Sequence, residues 1–187
     1  VIRGIATADD WQLVLVDLPG VQRPRDPLTE RMQRSVERAL ADSDAVLFVL
    51  NGEQQIGSGD RFIANAIVNA GTPAVTALNK VDRLDRPRTV AALSRAAALG
   101  VPGEIFPISA RTGDGLGPLV EQLVALLPEG GFLYPPQDTS DMSDQVRLAE
   151  LVREQVLLRT REEVPHAVEV EVDAETETLS VLDIKEQ

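Results

Sequence analysis

An α/β fold, a doubly wound parallel sheet followed by a smaller α+β unit, is what this 187-residue sequence predicts. Three observations carry that expectation. Residues 45–50, Ala-Val-Leu-Phe-Val-Leu, form an unbroken apolar run of strand length, the pattern of a strand covered on both faces. Strand-like runs alternate with helical stretches of about ten residues or more, the rhythm of βαβ units with right-handed crossovers. Over residues 128–143 the periodicity gives way to Pro, Gly, Asp and Ser, which marks a linker into a second piece.

The elements follow in order. Residues 1–7 are β-compatible, residues 11–16 are rich in apolar side chains, and the polar Ala8-Asp9-Asp10 between them predicts a β-hairpin. After Asp17-Leu18-Pro19-Gly20 comes a loop bearing proline and arginine, then helical spacing over residues 28–41. The strand at 45–50 is followed by a helix at 60–69, a strand at 73–78, a helix at 88–99, a strand at 104–108 and a helix at 116–127. In the second piece, residues 144–163 read as an amphipathic helix, and 167–172 and 178–184 as strands. One helix and two strands cannot close a good core, so this piece is expected to be incomplete or to borrow surface from elsewhere. The division expected is 1–131 and 132–187.

Composition narrows the function classes. Zero cysteines exclude disulfides, thiol nucleophiles and thiolate metal sites, and a single histidine excludes a multi-histidine centre. The formal charge of −12 repels a phosphate backbone unless basic residues are segregated, and 3% aromatic residues leave little for base stacking. Any nucleic-acid role therefore needs a local patch or a further segment. The acidity is concentrated in residues 132–187, which hold 5 Lys+Arg against 14 Asp+Glu. No apolar run approaches the roughly 18–20 residues that span a bilayer, and the start lacks a signal-peptide layout, so a soluble cytoplasmic protein is expected.

Ligands of open α/β sheets bind beyond the carboxyl ends of the strands, and three short signals fall there. They are Asp17-Leu18-Pro19-Gly20, Asn79-Lys80-Val81-Asp82 and Ser109-Ala110. Each alone reads as a turn or a solvated loop. Their order on successive βα turns is the specific signal. An aspartate carboxylate accepts two parallel hydrogen bonds from the ring N–H and exocyclic amine of guanine, whereas adenine offers no such pair of donors and leaves the carboxylate desolvated and unpaired.

With the motifs DxxG, NKxD and SA in this order, the chain resembles translation-factor-like GTPases. Residues 2–20, the order of elements and the Pro-rich linker into a helix and strands make it most similar to the bacterial Era family. The resemblance spans nearly the whole chain, and it implies a P-loop-GTPase-like sheet joined to a KH-like RNA-binding unit. It implies GTP hydrolysed to GDP and phosphate, with Mg²⁺, as a switch in maturation of the small ribosomal subunit. The implied partners are 16S rRNA and that subunit, with no DNA; the implied location is cytoplasmic, with peripheral association at the inner membrane left open. Carried over by position, Asp17 would hold Mg²⁺ through water and the Gly20 N–H would contact the γ-phosphate. Asp82 would read guanine, Lys80 would lay its stem along the base and Asn79 would brace neighbouring loops. The Ala110 N–H would meet the guanine oxygen, and Ser109 would shape that loop. Hydrolysis would be in-line attack by water, driven by positioning and charge stabilisation.

The departures from the family pattern are equally specific. A phosphate loop needs Gly-Lys-Ser/Thr, yet the two lysines are Lys80, before Val81, and Lys185, before Glu186. An upstream portion carrying that loop is expected to lie outside this sequence, and without it the chain alone is expected to be inactive. The GxxG clamp of KH domains also cannot occur in residues 132–187, which contain no glycine. Val21 stands where many GTPases carry a water-orienting glutamine, so Arg23 and Arg25 become candidates for charge stabilisation in cis, against the blander reading of a solvated loop. His166 reads as a surface residue and Trp11 as a half-buried hairpin residue. Two other readings stand beside the leading one: a related ribosome- or tRNA-linked GTPase, and a non-hydrolysing interaction module that keeps the base-reading loops. Gly-Lys-Ser/Thr upstream separates the enzyme from the module.

Overall fold

The computed structural model describes residues 3–17, 30–140, 168–173 and 178–183. In chain order the elements are β1 (Arg3–Thr7), β2 (Gln12–Val16), α1 (Glu30–Ala41), β3 (Val46–Asn51), α2 (Ser58–Ala70) and β4 (Ala74–Asn79). A 3₁₀ turn (Val81–Arg83) leads to α3 (Arg86–Ala97), β5 (Ile105–Pro107), α4 (Leu116–Ala125), β6 (Val168–Asp173) and β7 (Thr178–Asp183). They divide into two compact units. One contains β3–β5, α1–α4 and the Thr7–Leu13 turn of the β1–β2 hairpin; the other contains β6, β7 and the outer parts of that hairpin.

In the first unit, β3, β4 and β5 form a parallel sheet in that order. The register runs from Val46 opposite Ala74 to Asn51 opposite Asn79, and from Thr76 opposite Ile105 to Leu78 opposite Pro107. Because β4 is central, its residues from Ala74 to Leu78 are all buried. On one face, Phe48, Leu50, Ala74 and Leu78 meet Val36 and Leu40 of α1, Ala64 and Ile67 of α2, and Ala92 and Ala96 of α3. The intervening Val75 and Ala77 point the other way by the two-residue period of a strand, and α4 packs on β4 with Leu119 and Leu123 buried. Helices on both faces are what a buried parallel sheet requires, and the doubly wound layout expected from the sequence is the one observed. β3, read from its unbroken apolar run as covered on both faces, nevertheless leaves Val49 52% exposed, because it lies beside β4 rather than at the centre of β3–β4–β5.

Local chemistry places the helix ends. Asp85 caps α3 by accepting the Arg88 N–H at 2.8 Å, and Pro87 sits in the first turn, so α3 begins at Arg86 rather than at residue 88. Asp60 accepts the Gly57 N–H at 2.7 Å, which lets α2 begin at Ser58, and left-handed Gly71 ends it. Between β1 and β2 the Ala8 N–H donates to the Trp11 carbonyl at 2.9 Å, and Trp11 is half-buried. The Gln12 amide donates to Thr7 Oγ1 and to the Tyr134 carbonyl while its oxygen accepts the Leu133 and Tyr134 N–H groups. One side-chain amide thus pins the start of the linker.

In the second unit, β6 and β7 pair antiparallel from Val168 opposite Asp183 to Asp173 opposite Thr178. Linker residue Thr139 accepts the Ile5 N–H at 2.9 Å, and Ser140 bridges Gly4 and donates its hydroxyl to the Arg3 carbonyl. The helix expected over residues 144–163 lies outside the described residues. No helix among the described residues is long and apolar enough to cross a membrane.

Candidate functional site

The parallel register brings the carboxyl ends of β3, β4 and β5 to one edge of the sheet. There the Gly52 N–H donates to the Asn79 carbonyl at 2.9 Å. A Cβ on Gly52 would stand 3.1 Å from that oxygen and 3.0 Å from Leu84 Cδ1, so glycine is what permits the approach. Asn79 is the last residue of β4 rather than the first residue after it. Its Oδ1 accepts the Lys80 N–H at 2.7 Å and the Ala110 N–H at 3.0 Å. Lys80 is left-handed, with φ of 68°, the one positive φ at a non-glycine residue among those described. That conformation is uncommon for a lysine, and the Asn79 side chain holds it in place. The turn it starts is the 3₁₀ segment Val81–Arg83, which presents Asp82.

The second loop leaves β5 and folds back on itself. The Ile108 N–H extends the ladder to the Leu78 carbonyl, and the Val81 N–H donates to the Ile108 carbonyl, which ties the two loops together. Ser109 is fully buried. Its N–H donates to the Asp114 carbonyl at 2.9 Å and its own carbonyl accepts the Gly113 N–H at 2.8 Å. Its Oγ accepts the Thr112 N–H at 3.2 Å and donates to Asp82 Oδ1 at 2.7 Å. Gly115 closes the loop with φ of 74° at the start of α4, and any Cβ there would collide with the Pro107 carbonyl oxygen.

Asp82 is the electrostatic centre of this edge. While Oδ1 accepts the Ser109 hydroxyl, Oδ2 accepts the Arg111 Nε–H at 3.1 Å and pairs with the Nη2 charge at 3.0 Å. The Ser109 hydrogen bond, aided by the Arg111 charge and its hydrogen bond, holds the carboxyl below its ordinary value against the opposing effect of desolvation. A charged carboxylate at a strand-end rim accepts a pair of N–H donors. On the outer side, Glu53 lies 4.0 Å from Lys80 Nζ and 3.4 Å from Arg83 Nη1. These are exposed contacts that orient the Lys80 stem at little energetic gain.

Of the residues singled out in the sequence, Asn79, Lys80, Asp82, Ser109 and Ala110 lie in two loops tied by hydrogen bonds. Asp17 directly follows β2, is exposed, and belongs to the second unit. Gly20, Arg23 and Arg25 lie outside the described residues. No group of three metal-ligating side chains occurs among the described residues. Two residues were missed in the sequence: Arg111, whose signal is a basic side chain directly after Ser-Ala, and Glu53, just beyond the β3 end.

The chain is 42% identical over 179 residues to GTPase Era from a Nocardioides species, covering 92% of this chain and 57% of that protein. It is 39% identical over 183 residues to GTPase Era from a Nostoc species, covering 96% of this chain and 56% of that protein. It therefore spans somewhat over half the length of these curated relatives. A crystal structure of Era in complex with MgGDPNP and nucleotides 1506–1542 of 16S ribosomal RNA matches with a TM-score of 0.76 and 28% identity, over 92% of this chain and 59% of that one. A family of GTP-binding domains named for elongation factor Tu matches residues 6–129, well over half of the 187 residues. By that match this chain belongs to the elongation factor Tu GTP binding domain family.

Proposed function

We propose that this chain is the guanine-reading part of an Era-type GTPase, which in the intact protein hydrolyses GTP to GDP and phosphate and acts as a switch in small ribosomal subunit maturation. The single observation that carries the reading is the Asp82 carboxylate, oriented at the sheet edge by the Ser109 hydroxyl on a loop that Asn79 locks to the next. In this reading guanine presents its ring N–H and amine to Asp82, and its carbonyl oxygen shares the Ala110 N–H with Asn79. Lys80 lays its stem along the base, and its left-handed backbone sets where that stem starts.

Asp17 is proposed to hold Mg²⁺ through water, and the Gly20 N–H to contact the terminal phosphate. Magnesium supplies charge neutralisation of the phosphates when bound. Val21 offers no group to orient water, which leaves Arg23 and Arg25 as the cationic candidates for stabilising the transferring phosphoryl group. The phosphate loop is proposed to come from sequence outside these 187 residues, since no Gly-Lys-Ser/Thr occurs within them. Residues 1–131 are proposed as the GTPase domain and 132–187 as the linker and part of a KH-like unit. The 16S rRNA partnership is supported by the related Era crystallised with a segment of that RNA.

The test is titration of a fluorescent guanine nucleotide against the intact protein and its Asp82→Asn variant, with a xanthine nucleotide alongside. Exchange of guanine for xanthine preference is the expected result, because an amide supplies a donor to the xanthine oxygen where the carboxylate accepted from the amine. Wild-type protein that binds neither nucleotide would overturn the reading in favour of a protein-interaction module.

A further inference from the structure

The base-reading carboxylate of Asp82 already holds an internal occupant. Arg111 donates Nε–H to Oδ2 at 3.1 Å and brings Nη2 into ion-pair contact with the same oxygen at 3.0 Å, so its planar N–C–N unit faces the carboxylate. Guanine presents the same unit through its ring N–H, the carbon between and its exocyclic amine. The two groups compete for one acceptor by the same chemistry. The Asp82 side chain keeps 10% of its surface, while the Arg111 side chain is 74% exposed and costs little to move.

The loop is built to stay in place when that arginine leaves. Asn79 holds the Ala110 N–H on one side of Arg111, and Ser109 Oγ holds the Thr112 N–H on the other. Asp82 Oδ1 keeps the Ser109 hydroxyl throughout. Departure of the guanidinium therefore frees Oδ2 without dismantling the rim.

We propose that Arg111 is a specificity-determining placeholder, seated on the Asp82 carboxylate in the nucleotide-free protein and displaced by a base that offers an equivalent pair of donors. This rests on the guanine-reading role of Asp82 given above. An incoming adenine has no matching donor pair and cannot replace the guanidinium, so Arg111 raises discrimination as well as slowing entry of the correct base.

The experiment is stopped-flow association of a fluorescent GDP with the nucleotide-free intact protein, its Arg111→Ala variant and its Arg111→Lys variant, which keeps the charge but loses the planar fork. Arg111→Ala is expected to speed association about two- to fivefold, the range that an exposed ion pair allows, with Arg111→Lys in between. In an Asp82→Asn background, measured with fluorescent xanthine nucleotide, Arg111→Ala is expected to add nothing further. An unchanged association rate, or a variant that alters only dissociation, overturns the proposal and makes Arg111 a cover over the bound base. An Asp82→Asn variant that keeps full guanine preference overturns the base-reading role itself, and the placeholder with it.

Discussion

The buried hydroxyl of Ser109 donates to Asp82 Oδ1 across 2.7 Å and links two loops that are 27 residues apart in sequence. Ser109 Oγ also accepts the Thr112 N–H, so one small side chain fixes the shape of its own loop and holds the Asp82 carboxyl below its ordinary value. Dipeptides of serine and alanine are common and carry little information alone. What gives this one its role is that β5 delivers Ser109 to the edge where β4 delivers Asp82.

That link sets an acid limit on stability. The Asp82 carboxyl is held below its ordinary value, so its contribution is fully present above about pH 4 and is lost as pH falls through the lowered value. Ser109→Ala removes the largest cause and lets the carboxyl rise toward the ordinary range. Thermal unfolding from neutral pH into the acid range is expected to show a constant gap between wild type and variant at neutral pH, narrowing below about pH 4. A gap that persists unchanged to the acid end would mean that Ser109 acts on packing alone.

Asn79 carries the mechanical tie. Asn79→Ala leaves the Lys80 and Ala110 N–H groups without their shared acceptor and releases a left-handed lysine from the contact that holds it. A loss of about 1–3 kcal/mol is expected by denaturant titration, with weaker guanine-nucleotide binding in the same variant. Full stability with full binding would show the two loops to be held by the β4–β5 ladder without it.

Gly115 tests the backbone rather than a side chain. Its φ of 74° and the nearby Pro107 carbonyl leave no room for a Cβ, so Gly115→Ala is expected to move the loop that carries Ser109. A destabilisation of about 1–3 kcal/mol is expected, together with loss of base preference, as this loop sets the Asp82 partner. Gly113→Ala is the control: its φ of 87° imposes the same backbone penalty, but nothing lies within 4 Å of its Cβ. Equal effects on base preference would remove the Pro107 contact from the account.

The alternation of strand and helix and the strand-end position of the motifs were legible because each depends on local periodicity; that β4, not β3, is the fully buried strand was not, because strand order decides it. The Asn79, Asp82 and Ser109-Ala110 signals were legible because their residue types carry the chemistry. Helix starts at Arg86 and Ser58 were missed by two residues, since Asp85 and Asp60 act as caps only once the chain turns to meet them. The left-handed Lys80 and the Ser109 bond to Asp82 left no mark in the local pattern, and Arg111 left only a basic side chain after Ser-Ala that does not name its partner. The two Asp82 contacts arise between the loops that follow different strands, and the parallel register that aligns β4 with β5 brings those loops together. The sequence alone determined which chemical groups this edge can use; the tertiary structure decided which of them meet, because hydrogen bonds act over about 3 Å while the groups lie tens of residues apart.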